Sequence, residues 1–258
     1  MKISFLLLTW NRHKFLEICL ERLLESIADA EQSEILVLDN GSTDATSELL
    51  RRYKGHKQVR VLTLSKHQGL EAYKKLFAAA RGELMVTVDD DVLAFPPAVD
   101  RIFETYMQTY TDFGYLALNV VQDEFTNGAK PGPELYTDDV RGDLAVQVGP
   151  AGGWCACFRR RDYRKVRLAF YFRKLDMNHG EDALMITLMK RLLSLKAGVI
   201  RDAICFHASG PHYAKVYGHL DREIAKYADA GLTSLVEHYR SYLPGRIDEA
   251  VAADEIQG

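Results

Sequence analysis

Four short apolar runs within residues 1–91 constrain this chain more than anything else in it. They span residues 2–9, 34–39, 59–64 and 83–91, and each is rich in Leu, Ile, Val or Phe. The first two are almost continuously apolar, which suits strands covered on both faces, as in a parallel sheet. Between them lie helix-periodic stretches. Phe15, Leu16, Cys19, Leu20, Leu23 and Leu24 recur at three- and four-residue spacing, and Leu70, Tyr73, Phe77 and Ala80 do the same. Strand, helix, strand, repeated, predicts a parallel sheet with right-handed crossovers. At 258 residues and 47% hydrophobic content, the chain can bury the core that such a sheet needs.

Polar residues gather where three of these strands end. They are Thr9 to Arg12, Asp39 to Asp44, and Asp89-Asp90-Asp91. The carboxyl ends of a doubly wound sheet share one crevice, the usual ligand site of the class. Three adjacent carboxylates are stable in a solvated turn or around a cation, and a strand's carboxyl end favours the cation. Neither GxGxxG nor GxxxxGK[ST] follows the first strand, which argues against a dinucleotide dehydrogenase and a P-loop NTPase. A formal net charge of -3 argues against nucleic acid as a partner. Four cysteines without CxxC spacing suggest reduced thiols. With no leader-like segment and no run of membrane-spanning length, the expected location is cytoplasmic.

The second half is less regular. Pro96-Pro97 opens a helix over 98–110, and a strand follows over 115–121. Residues 123–143 read as a long loop or a small hairpin, with further strands at 144–148, 155–158 and 199–206. The run from Arg159 to Lys165 is strongly basic, either a solvated helix start or a patch for phosphate or another anion. Beyond residue 215, Leu220, Ile224, Tyr227, Leu232, Leu235 and Tyr239 form amphipathic helical stripes. They are expected to pack on the domain or on a second copy of the chain, with peripheral membrane contact the lesser reading. The expected organisation is a domain over 1–215, in halves 1–95 and 96–215, and a helical extension over 216–258.

Taken together, Thr9-Trp10-Asn11-Arg12, Leu38-Asp39-Asn40-Gly41-Ser42-Thr43-Asp44, Ala80-Arg81-Gly82-Glu83, Asp89-Asp90-Asp91 and Gly180-Glu181-Asp182 resemble family 2 glycosyltransferases in order and spacing. The likeness is tight to about residue 95, looser to about 210, and absent in the C-terminal helices. It implies the α/β GT-A fold, a Rossmann-like, mostly parallel sheet flanked by helices. It also implies a metal-dependent, inverting transfer of sugar from a nucleotide-diphospho-sugar, with a UDP-sugar the default, to an acceptor hydroxyl on a glycan, lipid-linked or small molecule.

In that pattern Asp91 of the DXD motif is a direct ligand of Mn2+ or Mg2+. Asp89 reaches ribose or a metal-bound water. Asp90 points away, although it is grouped with the donor-side residues. His207 would be a further metal ligand, with His212 as substitute. Thr9, Asn11 and Arg12 would line the nucleoside pocket, and Asp39 with Asn40 would meet the base. Ser65 to Lys75 departs from the family's usual Asn-x-Gly, offering His67-Gln68-Gly69 and then Lys74-Lys75, one of which would contact pyrophosphate or lie on a solvated helix face; Gly69 and Lys74 are grouped with the donor-side residues. Asp182 would be the general base, with Glu181 orienting the acceptor, and Gly152, Gly153 and Trp154 would shape the acceptor pocket. A sugar-phosphate nucleotidyltransferase fits less well, because no Gly-rich basic signature follows the first strand. A non-catalytic sugar-nucleotide or glycan-binding module would not need both acidic motifs.

Overall fold

The computed structural model describes residues 1–126, 130–177 and 180–243. Residues 127–129 of the loop expected over 123–143, Asn178 and His179 just before the Gly180 motif, and the chain beyond 243 lie outside the described residues. The chain divides at residue 207 into a larger unit, 1–121 with 130–207, and a smaller one.

The larger unit opens with β1 (Ile3–Thr9), α1 (His13–Ser26), β2 (Ser33–Asp39), α2 (Thr46–Arg52), β3 (Val59–Thr63), α3 (Ala72–Ala79) and β4 (Leu84–Asp89). β1 and β2 are buried almost throughout, as their continuous apolar sequence requires. The four strands run parallel in the order β3-β2-β1-β4. Register aligns Thr9 with Asp39 and Leu8 with Asp89. That alignment brings the three polar strand ends to one edge.

At the opposite edge the chain is tightly stapled. Ser4 Oγ donates to Glu34 Oε1 at 2.6 Å and accepts from the Gly82 amide at 2.7 Å, and Arg60 Nη2 closes on Glu34 Oε2 at 3.0 Å. Gly82 runs so close to β1 that an added Cβ would lie 2.4 Å from the Ser4 nitrogen.

The rest of the unit holds β5 (Val92–Ala94), α4 (Val99–Thr109), β6 (Phe113–Val120), β7 (Thr137–Arg141), β8 (Leu144–Val148), β9 (Cys155–Arg159), α5 (Arg160–Tyr171), α6 (Glu181–Leu193) and β10 (Lys196–His207). The sheet continues β4-β9-β6-β10-β8-β7. β9 runs antiparallel to both β4 and β6, while β6 and β10 are parallel. The architecture is therefore mixed α/β with a mainly parallel centre. β7, inside the stretch expected to be a loop or hairpin, pairs as a hairpin with β8, the strand expected over 144–148. Arg159, first of the basic run, is buried at the end of β9. Its guanidinium donates to the carbonyls of Phe113, Met107 and Tyr110, a structural use for one of those charges.

β5 was not legible in the sequence and matters most for the site. Its three residues pair antiparallel with the end of β10, opposing Val92 to His207. The strand that leaves the acidic triplet is thus hydrogen-bonded to the strand that delivers the histidine.

The smaller unit contains α7 (Pro211–Val216), α8 (Leu220–Asp229) and α9 (Thr233–Arg240). Ala214, Leu220, Tyr227, Val236 and Tyr239 form its buried cluster, so the amphipathic stripes cover one another. His212 belongs here, with its ring stacked on Phe125 at 4.1 Å. No helix among the described residues is long and apolar enough to cross a membrane.

Candidate active site

Asp90 and Asp91 occupy the bend between β4 and β5, and Asp89 is the last residue of β4. The three carboxylates have separate partners. Asp90 is 3% exposed; it accepts from Thr9 Oγ1 at 2.7 Å and from Arg12 Nη1 at 2.6 Å. Arg12 Nη2 donates to Asp91 Oδ2 at 2.6 Å. One guanidinium therefore spans two carboxylates, which a lysine ammonium would do less well. Asp91 Oδ1 lies 3.0 Å from His207 Nε2, and the same nitrogen lies 3.5 Å from Asp89 Oδ2.

Burial works against the Asp91 charge, but Arg12 and His207 outweigh it and hold that carboxyl well below the usual range. Asp89 lacks the arginine. Burial pushes it up to about 6; His207 opposes the rise, and Asp91 and Asp90 add to it. Its side chain keeps 34% exposure, so it is the member of the cluster that faces solvent. Burial disfavours the charged form of His207, yet Asp91 outweighs that and raises its pKa.

Asp89, Asp91 and His207 can each turn one ligand atom toward a common point, and these atoms lie within 4.8 Å of one another. His207 Nδ1 is buried without a hydrogen-bond partner, so the ring's polar chemistry is concentrated at Nε2, the edge facing both acids. Two carboxylate oxygens and one imidazole nitrogen fit a divalent cation such as Mn2+ or Mg2+.

The β1 and β2 ends form a second wall. Asn11 is a residue type suited to capping α1, but it sits at φ 53°, and Arg12 takes the capping position without a side-chain cap bond. The Asn11 Oδ1 accepts the Thr43 amide at 2.7 Å, joining the two strand-end loops. Asp39 is buried, with Oδ1 on the Ser42 amide at 2.9 Å and Oδ2 on the Ser47 hydroxyl at 3.4 Å. Asn40 fastens the following loop through Gly69 O at 2.9 Å and the Gln68 amide at 2.9 Å. Gly41 is needed there, at φ 76° and with an added Cβ falling 2.5 Å from the Lys66 carbonyl carbon.

Trp10 stacks on His67 at 3.9 Å, a pairing not singled out in the sequence, where only the His67-Gln68-Gly69 departure from the family pattern marked the spot. Lys74 is drawn elsewhere. Its ammonium donates to Glu71 Oε2 at 2.6 Å and to Arg173 O at 2.8 Å.

On the third wall, α6 begins with Glu181 and Asp182. The Gly153 amide donates to Asp182 Oδ2 at 3.0 Å, fixing a half-buried carboxylate. Glu181 is buried; that burial, reinforced by Asp182 and Asp89, raises its pKa well above the ordinary value. A Cβ on Gly153 would come within 3.1 Å of Glu181 Oε1, so glycine leaves these acids their room. A Cβ on Gly152 would lie 2.4 Å from the Trp154 ring. Trp154 itself is 4% exposed, donates to Leu118 O at 2.9 Å and packs near His207.

The sequence profile of glycosyl transferase family 2 matches residues 4–167, more than half of the chain. The chain belongs to glycosyl transferase family 2. This glycosyltransferase is 26% identical over 162 residues to the undecaprenyl-phosphate 4-deoxy-4-formamido-L-arabinose transferase of Aeromonas hydrophila, a match covering 61% of this chain and 49% of that protein. It is 25% identical over 195 residues to the putative glycosyltransferase EpsH of Bacillus subtilis, covering 70% of this chain and 53% of that one. The chain thus spans about half the length of the curated relatives it matches.

Among solved structures, S. aureus TarS 1-349 aligns with a TM-score of 0.61 at 17% identity, covering 96% of this chain and 73% of that one. The Pyrobaculum calidifontis mannosyltransferase PcManGT, solved with GDP-Man and Mn2+, gives 0.61 at 17% identity, covering 89% and 64%. These likenesses establish the GT-A fold of the family 2 enzyme.

Proposed function

We propose that this family 2 glycosyltransferase moves a sugar, with inversion, from a nucleotide-diphospho-sugar to an acceptor hydroxyl, using Mn2+ or Mg2+ held by Asp89, Asp91 and His207. The observation that carries the reading is the convergence of those three ligand atoms within 4.8 Å, at the strand ends where a donor is expected. A divalent cation held there would neutralise the charge that develops on a leaving nucleoside diphosphate.

The chain's own residues supply the rest. Thr9 and Arg12 hold Asp90 and Asp91 in place, so the ligand edge is preorganised. Asp39 and Asn40 shape the base side of the crevice, with uracil the default base. Asp182, oriented by the Gly153 amide, takes the acceptor proton as the hydroxyl attacks from the face opposite the diphosphate. Glu181, whose buried carboxyl has its pKa raised by burial, positions the acceptor. The undecaprenyl-phosphate transferase among the relatives makes a polyprenyl phosphate the alternative acceptor to try, one whose ionised phosphate oxygen would attack in place of a hydroxyl and would not need Asp182 as a base.

The test is nucleoside-diphosphate release, screened over UDP-, GDP- and dTDP-sugars with Mn2+. Asp91→Ala should lose the metal-dependent release, and Asp182→Asn should bind donor but fail to transfer. Release that persists in EDTA, or near-wild-type turnover in Asp91→Ala, would sink the metal assignment; transfer by Asp182→Asn would move the base elsewhere.

A further inference from the structure

One outward face of α5 takes no part in the site. The helix buries Tyr163, Val166 and Phe170. It turns Arg161, Arg164, Leu168 and Tyr171 to solvent, a three-four-three spacing that sets them on one stripe. Leu168 is 67% exposed, Tyr171 60%, and Phe172, just past the helix end, 81%. Exposed basic side chains flank them at Lys165, Arg167, Arg173 and Lys174. The one acid on the helix, Asp162, is buried; it lies 3.5 Å from Arg159, 3.5 Å from Lys165 and 3.9 Å from Arg161, so a single negative charge offsets only part of this basic rim.

We propose that the α5 stripe centred on Leu168, Tyr171 and Phe172 docks this protein on an anionic phospholipid bilayer. Charge complementarity selects that occupant. A stripe of large apolar groups costs free energy in water, and a basic rim alone would suit any acid. Aromatic and leucine side chains set among long basic ones match the boundary between headgroups and acyl chains. The basic stems lie along the apolar surface while their charges meet lipid phosphates.

The position also fits the acceptor reading, on which the use of this surface rests. After Phe172 the chain is pinned by Arg173 O on Lys74 and by the Leu175 amide on Glu71 Oε1 at 2.7 Å, and it then enters the segment that opens α6 at Glu181 and Asp182. A bilayer on the stripe would meet the pinned residues Arg173 to Leu175, which precede the proposed base in the chain.

The test is sedimentation of the full chain with vesicles of equal parts phosphatidylglycerol and phosphatidylcholine, beside vesicles of phosphatidylcholine alone. Wild type should bind the first and not the second, and added salt should weaken binding. Arg164→Ala with Lys165→Ala should weaken it about thirtyfold. Leu168→Ser with Phe172→Ser should weaken it about a hundredfold. All four positions are exposed, so both variants should keep the wild-type melting temperature. Equal binding to both vesicle types, or unchanged binding in either variant, would overturn the proposal; an apolar variant that still binds would mark the patch as one for acidic macromolecules. Nucleoside-diphosphate release with a water-soluble acceptor should be unchanged in both variants, so failure of the catalytic reading and failure of the docking surface are read separately.

Discussion

Replacing Arg12 by methionine tests the electrostatics of the acidic bend most directly. The change keeps a stem to pack near Phe15, where the guanidinium carbon lies 4.8 Å from the ring centre, and removes the charge and its donors. Arg12 is 14% exposed in its side chain, against 3% for Asp90 and 8% for Asp91, so solvent screens these pairs weakly. Removing one partner of a buried pair costs about 3–5 kcal/mol, because the other charge stays behind. Asp89, already pushed up to about 6, can take a proton and relieve part of the repulsion, which favours the lower end, about 3 kcal/mol.

At about 2–4 °C per kcal/mol for a chain of this size, Tm should fall by about 6–12 °C. Thermal unfolding in EDTA at neutral pH measures this. Mn2+ added to the variant should then raise Tm by more than it does in wild type, since the cation enters a cluster short of one positive charge. A fall of less than about 2 °C, or an equal Mn2+ shift in the two proteins, would refute the claim that Arg12 neutralises the bend.

Gly82→Ala should destabilise by about 3 kcal/mol or more, since its Cβ would meet the β1 backbone, which cannot rotate away; urea unfolding with a near-wild-type midpoint would contradict this. Glu181 should make stability pH-dependent. Its folded pKa is raised above the unfolded value, so its contribution is intact below about pH 4.3 and is lost as pH rises toward the folded pKa. Glu181→Gln should therefore gain Tm over wild type progressively through that window, and a constant difference across pH would exclude the assignment. Gly153→Ala should reduce transfer more than donor binding, because the new methyl crowds Glu181 and Asp182; parallel losses in both would argue against acceptor-side crowding.

The first half of the fold was legible because buried parallel strands are nearly continuous in apolar residues, as β1 and β2 are, while β3 at the sheet edge shows the alternating pattern of a half-buried strand. β5 is three residues long, and its pairing depends on a strand more than a hundred positions away, so no local pattern marks it. β7 is Thr-Asp-Asp-Val-Arg, the polar sequence of an edge strand, and reads as loop. The Arg159 to Lys165 run could not be divided by composition. Only the placement of Arg159 at the inner end of β9 separates a structural guanidinium from the solvent-facing ones. Asn11 had a residue type suited to capping, but its left-handed backbone aims the side chain at the neighbouring loop. The candidate ligands were visible as residue types at strand ends. That His207 reaches Asp91 while His212 stacks in the smaller unit was not, because chain distance does not encode which of two nearby histidines faces a carboxylate.

The pairing of β5 with β10 would also make the proposed cation site a reporter of assembly. Asp89 and Asp91 come from the early, locally connected strands, whereas His207 arrives only when the last strand of the larger unit has docked. A chain stopped before β10 holds two of the three proposed ligands and would bind a cation weakly. On the proposed metal reading, tight chelation would require β10 in place, so a half-folded chain would not hold the cation through which a sugar nucleotide would be spent.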